Sequence, residues 1–597
     1  MSNKSGTFTT PLFRAYDPPR QGSGVGICLS GGGSRAMSAG IGQLQALEKL
    51  GLLGRADYMT TVSGGGWIGV PFIYQSRYPD AVFLGSYADP AGFTVDNITA
   101  PSPPGWIGGC TADDFTIGKL AAMALYLGSV GVPHSMIWQI LMGIHFLAPY
   151  NLYNAKNYHE PKAFFSFDKT VLEHDVLNAN DSLKKTPAFL VNATGQHRPY
   201  LISVSGMFVD IPSDGSDPGE TIQMLAPLQS TPIWTGVLPT PAKATYGKHR
   251  QPVGGGGVSS FAFNSTLDDL GDTTATVDQD RQWSLLDTMG TSSAAFAAFL
   301  EQHLAEWSKS PQRMAAAVRH YRGPATRSLV RAGCDAAEVG ASFDKIITIA
   351  QTGGIDALKG HLGGLGIFTG LVPTYDYWSP DNQGSRSGTS LKFADGGSLD
   401  NTGITSMLLQ PGLKKIIAFV NAGVALKWDA HSNIIIDSSI PPLFGCRPYD
   451  ANASQQYVPY ASLPYQDTSD LHRKNQVFDS SLLDQLLNGL WMATKGDESA
   501  PPIFQQNLVT VENDWFGIPK GIEVTVLWVY LGMATDWSDG IKSDDVNEML
   551  SDEMVSNNFP NYGTMNTGLS PAQVRFLSSL TAWSVLTNGK AFTALFP

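Results

Sequence analysis

The sequence predicts an α/β fold, with a mostly parallel central sheet and an inserted, largely helical cap. Two consecutive strand–turn–helix units near the start predict the sheet, and one long uncharged stretch after them predicts the cap. In the first unit, residues 25–29 (VGICL) are a short apolar, partly β-branched run, which reads as a buried strand. Ser30, Gly31, Gly32 and Gly33 follow at once. Residues 34–50 then place Ala36, Gly40, Leu44, Leu47 and Leu50 at spacings of three and four, the mark of a helix with one packed face. A glycine turn that opens a helix presents free N–H groups and the positive end of a helix dipole, so it suits an anion.

The second unit starts with another short strand at 58–62. Ser63 stands at its end, followed by Gly64, Gly65, Gly66 and the apolar Trp67 and Ile68. A serine on a sharp strand-to-helix turn is a nucleophile elbow, usually written G-x-S-x-G, in which small neighbours let the backbone turn and expose the hydroxyl. Here Thr61 stands where the first glycine belongs. Pro71 is expected to kink or shorten the helix that follows.

Residues 120–150 contain no Asp, Glu, Lys or Arg. The length suffices for a bilayer, but Gly128, Gly131 and Pro133 divide it. Three readings stay open: buried helices of an inserted cap, a cap that touches lipid, and a membrane span. Further strands are expected at 188–193, 200–209, 258–263, 415–420 and 522–531, and a closing helix at 573–585. Residues 391–394 lead into Asp395-Gly396-Gly397. The expected organisation is an exposed arm over 1–24, a catalytic domain over 25–425 with its apolar cap at about 100–185, and a region over 426–597 that completes or wraps it.

Composition narrows the function. The chain has 597 residues, 43% hydrophobic and 15% charged, with 63 glycines, which fits a large loop-rich enzyme rather than a disordered or coiled-coil protein. A net charge of −13 without a long Lys/Arg run excludes nucleic acid as the main partner, and argues against purely electrostatic attachment to anionic membranes. Cys28, Cys110, Cys334 and Cys446 lack metal-ligand spacing; no metal and no cofactor is expected. The N-terminus has no apolar signal segment, so a cytoplasmic location is expected, with membrane association through 120–150 left open.

An elbow serine needs a base and a place to hold negative charge. None of the 11 histidines sits in a turn of catalytic form. Asp395 does, at the end of a strand and before two glycines. If strands 25–29, 58–62 and 391–394 are parallel neighbours, Gly32, Ser63 and Asp395 meet at one sheet edge, where open α/β sheets place their sites.

The three motifs resemble those of the patatin-like and cytosolic phospholipase A2/phospholipase B superfamily. Ser30-Gly31-Gly32-Gly33-Ser34-Arg35-Ala36 is similar to its oxyanion motif, Ser63-Gly64-Gly65-Gly66-Trp67 to its nucleophile turn, and Phe393-Ala394-Asp395-Gly396-Gly397 with Asp400-Asn401 to its catalytic aspartate motif. Weaker echoes are Thr231-Pro232 with Gly236, the run 290–296, and Asn558-Phe559-Pro560. The resemblance implies a three-layer α/β/α core and a Ser–Asp dyad without histidine. Ser63 would attack a lipid ester carbonyl, most simply of a phospholipid or lysophospholipid, and Asp395 would take its proton. The N–H groups of Gly32 and Gly33 would hold the oxyanion, and Arg35 would bind the substrate's phosphate or position the glycine loop. Water would then release the acyl-serine. Asp400 and Asn401 read as turn and cap residues and Trp67 as core. The short segment before the core leaves no room for the calcium-dependent membrane-targeting module of some relatives, so calcium-independent activity is expected.

Two other functions fit parts of the pattern. Gly31 to Ala36 also satisfies G-x-G-x-x-A after a strand, the dinucleotide fingerprint, with Asp57 near the place of the ribose carboxylate. A catalytically silent lipid-binding protein on the same fold is the third reading.

Overall fold

The computed structural model describes residues 6–19, 22–112, 115–157, 163–191, 197–212, 220–241, 243–381, 388–462 and 470–597. The two predicted units form: β1 (Val25–Leu29) feeds α1 (Gly33–Lys49), and β2 (Tyr58–Val62) feeds α2 (Gly64–Tyr74). Every residue of both strands is buried, which is why neither alternates. The centre of the sheet is completed by β3 (Tyr200–Pro212), β4 (Thr389–Asp395), β5 (Lys415–Val420) and β6 (Glu523–Tyr530). Five of these run parallel in the order β3-β2-β1-β5-β6. Antiparallel strands extend both sides. Ile503–Val509 lies on β6, and beyond β3 come Thr221–Ser230, Trp234–Val237, Gly256–Ser259, Gly6–Phe13, Thr274–Gln279 and Thr266–Leu270.

Two expectations are corrected here. Residues 6–13 are not an exposed arm. They form a strand paired with Thr274–Gln279 and Gly256–Ser259, with Phe8 and Thr10 buried. Pro11 hid this strand, because a proline argues against a paired interior position. Likewise, β4 is neither parallel to β2 nor its neighbour. It runs antiparallel to β3, with Asp395 opposite Ser205, while β2 runs parallel along β3 and ends with Val62 opposite Val204. The other edge of β3 is taken by Thr221–Ser230. So β2 and β4 share one edge of β3 and meet head-on, each ending where the other ends.

Helices cover the sheet. α1 packs on α2 and on the chain's last long helix, Pro571–Thr587. A Cβ at Gly42 would overlap the Ser578 carbonyl oxygen, and the Thr581 hydroxyl donates to the Ala39 carbonyl at 2.9 Å, so this crossing requires a glycine. α2 continues three residues past Pro71, with all eleven of its residues buried, so packing outweighs the lost hydrogen bond. The uncharged stretch forms helices Ile117–Ser129 and His134–Met142 with a wider helical turn at Gly143–Leu147. Leu120 to Leu127 are buried throughout. Among the described residues no helix is long and apolar enough to cross a membrane. The strand expected at 188–193 covers Ala188–Leu190; residues 192 and 193 lie outside the described residues.

Candidate active site

Ser63 sits between β2 and α2 with φ 48° and ψ −118°. A serine at positive φ costs about 1–3 kcal/mol and persists only where its surroundings over-determine it. They do so here. The Ser63 N–H donates to the Ser292 hydroxyl at 3.0 Å, and the Ser63 carbonyl accepts from Gly66 N at 2.8 Å. A Cβ at position 64 would sit 2.5 Å from Gly33 N and overlap the Gly33 carbonyl, and one at 65 would lie 2.8 Å from the Ser30 carbonyl oxygen. The glycines let the two turns touch. Thr61 is accommodated by a vacancy across from it, since a Cβ at Gly69 would overlap the Thr61 methyl group.

The Ser63 hydroxyl donates to Asp395 Oδ2 at 3.1 Å. The same oxygen accepts from Ala295 N at 3.2 Å, and Oδ1 accepts from Gly397 N at 2.8 Å. Both side chains are buried, Ser63 at 4% exposure and Asp395 at 5%. Burial pushes the Asp395 carboxyl up to about 6, against the pull of the Gly397 and Ala295 N–H groups and the Ser63 hydroxyl. Only the carboxylate can take a proton. Hydrolytic kcat/KM is therefore expected to rise with pH through about 6 and level off above it, read from a pH–rate profile.

Ser292 was missed in the sequence, and it joins the two strand ends. It closes helix α3 (Leu285–Ser292), just before α4 (Ala295–Ser308). Its hydroxyl accepts from Ser63 N and donates to the Val204 carbonyl at 2.7 Å, at the point where β2 stops and β4 begins along β3. Its own carbonyl accepts from Gly396 N at 3.1 Å. Ser292→Ala leaves two buried backbone groups unpaired. It is expected to lower turnover more than it raises KM, and to cost about 1–3 kcal/mol in denaturant unfolding.

The glycine turn faces the serine. Gly32 has φ 137° and Gly33 φ 60°, conformations that favour glycine. As the cap and first residue of α1, neither N–H has an intrahelical partner. Gly64→Ala would push its methyl group into Gly33 and is expected to cost about a hundred- to a thousandfold in kcat, the loss of one oxyanion donor. Steady-state kinetics beside a thermal melt would show the effect on the site separately from any effect on folding.

Arg35 is turned away from solvent, so of the two roles expected for it the positioning one fits its surroundings. It is 3% exposed, behind the glycine turn. Its Nε donates to the Asn421 carbonyl at 2.9 Å, one terminal nitrogen to the Tyr562 carbonyl, and the other to the Thr564 hydroxyl at 3.2 Å. A Cβ on Gly32 would lie 2.5 Å from this second nitrogen. Burial lowers Arg35 to about 10, opposed by the Asp437 charge, so it stays cationic at neutral pH. Asp400 spends both oxygens on the N–H and hydroxyl groups of Thr402 and Thr405, a capping role. Trp67 is core, stacked on Phe146 at 5.0 Å.

The dinucleotide reading fails on position. The Asp57 carboxylate accepts from Gly22 N and Gly24 N, and it precedes β2, at the opposite sheet edge from Ser63. Among the described residues no cluster of three or more His, Cys, Asp or Glu is placed to hold a metal. A cleft of about 620 Å³ ends on Asp395, lined by Ala294, Ala295, Ala298, Phe208, Leu391 and Lys392 among others. That size is typical of ligand pockets.

No family model matches the chain. A 60-residue segment is 38% identical to a Saccharomyces cerevisiae protein named "Putative meiotic phospholipase SPO1", covering 10% of this chain and 9% of that protein. Among solved structures, human GIVD cytosolic phospholipase A2 is similar at a TM-score of 0.40 and 13% identity, over 96% of this chain and 59% of that one. The same human protein in complex with methyl gamma-linolenyl fluorophosphonate and terbium chloride gives a TM-score of 0.40 at 14% identity, over 96% and 58%. The chain spans less than two thirds of the length of these relatives.

Proposed function

We propose that the protein is a lipid ester hydrolase of the phospholipase A or lysophospholipase type, working through a Ser63–Asp395 dyad. The observation that carries this is the hydrogen bond from the Ser63 hydroxyl to a buried carboxylate, at an elbow held in a strained conformation beside the Gly31–Gly33 turn. In the forward step the Ser63 oxygen bonds to the ester carbonyl carbon, and its proton passes to Asp395 Oδ2. The negative charge on the carbonyl oxygen is taken by the N–H groups of Gly32 and Gly33. The leaving alkoxide departs with the proton from Asp395, and an acyl-serine remains. Water then attacks with Asp395 again as base, and releases a fatty acid.

In this reading Arg35 is a positioning residue. It fixes the carbonyls of Asn421 and Tyr562 against the glycine loop and gives the developing oxyanion a nearby positive charge. Lipid as the substrate class rests on the three sequence motifs together with the partly apolar cleft at Asp395. A panel of phospholipids, lysophospholipids, galactolipids and triglycerides, with products identified by mass spectrometry, tests it. Fatty acid released above the Ser63→Ala blank supports the reading; none from any lipid contradicts it.

A further inference from the structure

The cleft wall carries two charges that the dyad does not use. The register Ala394 opposite Gly206 puts Ser390, Lys392 and Ala394 on one face of β4. The pairing ends with Phe393 opposite Met207, and further along β3 Asp210 pairs with Thr245 instead, so β4 and β3 part there; Phe208 and Asp210 share the face of β3 that carries Gly206. Ser390, Lys392, Ala394, Phe208 and Asp210 all line the cleft that ends on Asp395. Lys392 is exposed, Asp210 is half-buried, and among the described residues no ion pair or hydrogen bond holds either charged group. Tyr246 lines the cleft beside Asp210, next to Thr245, which pairs with it.

The order of these groups is informative. Leading away from the reacting serine come Asp395, then a cation three residues or about 10 Å back along β4, then an anion five residues or about 17 Å along β3 from Ser205, which lies opposite Asp395, at about 3.4 Å per residue. The lysine's flexible four-carbon stem lets its charge reach back toward the reaction. A zwitterionic phospholipid has the complementary order: ester, then phosphate, then ammonium. An aromatic face beside a carboxylate also suits an alkylated ammonium. Arg35 is buried and engaged elsewhere, so it leaves the phosphate without a partner in the glycine loop.

We propose that Lys392 receives the phosphate and Asp210 the ammonium of a zwitterionic headgroup, so that phosphatidylcholine- or phosphatidylethanolamine-type lipids are the preferred esters. This rests on the hydrolase reading above. The test compares wild type, Lys392→Met and Asp210→Asn on lipids of identical acyl chains in neutral-detergent micelles. Lys392→Met is expected to lower the kcat/KM ratio of phosphatidylcholine over diacylglycerol about tenfold, and Asp210→Asn the ratio of phosphatidylcholine over phosphatidylglycerol by about the same factor. A second readout needs no turnover: glycerophosphocholine, titrated calorimetrically, should bind the wild type and bind both variants more weakly. Unmoved ratios, or glycerophosphocholine binding that neither variant weakens, overturn the proposal. If no lipid is hydrolysed yet glycerophosphocholine binds through these two residues, the headgroup site stands and the hydrolase reading falls.

Discussion

Ser63→Ala is expected to reduce fatty-acid release by four to six orders of magnitude, on the order of losing the nucleophile of a serine hydrolase. Among the described residues no other hydroxyl donates to the Asp395 carboxylate. Ser292 is nearby, but its oxygen is committed to Ser63 N and the Val204 carbonyl. The substitution removes only an oxygen at a buried site, so the thermal melt should change little. Residual activity close to wild type would mean that another group attacks the ester.

Asp395→Asn is expected to cost about four orders of magnitude, comparable to a catalytic aspartate replaced by asparagine in a serine protease. The amide keeps the shape and still accepts from Gly397 N. It cannot take the serine's proton, and its NH2 faces the Ala295 N–H, itself a donor. The double variant should be no slower than Ser63→Ala, because groups acting as a unit are not additive. Stability offers an independent check. The carboxyl is raised from 3.8 to about 6 in the folded chain, so its contribution is fully present below 3.8 and lost as pH rises through about 6. The loss is ~3 kcal/mol in all. Denaturant unfolding should therefore show wild type losing stability relative to Asp395→Asn between pH 4 and 7.

The features legible in the sequence are local ones. Three glycines after an apolar run, and a serine at a strand end before three more, announce their turns without help from the rest of the chain. Asp395 was legible for the same reason, through Gly396 and Gly397. The direction of β4 was not, because the path from residue 212 to 389 is set by packing over long connections and leaves no periodic mark. Ser63 and Asp395 meet because β3 outruns β2 and offers its free edge to a strand arriving from the other side, and nothing short-range encodes that. Ala295 contributes a backbone N–H, which no side chain advertises. Ser292 lay in the run 290–296, which the sequence offered only as a weak echo of the family's motifs and without a role for any one residue. Arg35 was left with two roles, because its position in the first turn of α1 says that it is near the glycines, not which side of them it occupies; its burial against the Asn421 and Tyr562 carbonyls favours the positioning one.

The central claim is that Ser63 reacts because Asp395 is its base. The rate at which a fluorophosphonate modifies the protein, followed across pH in wild type and Asp395→Asn with the adduct mapped by mass spectrometry, tests it most directly. The account predicts a single adduct on Ser63, forming faster as pH rises through about 6 and strongly slowed in the variant. An adduct on another residue, or equal rates in the two proteins, would contradict it.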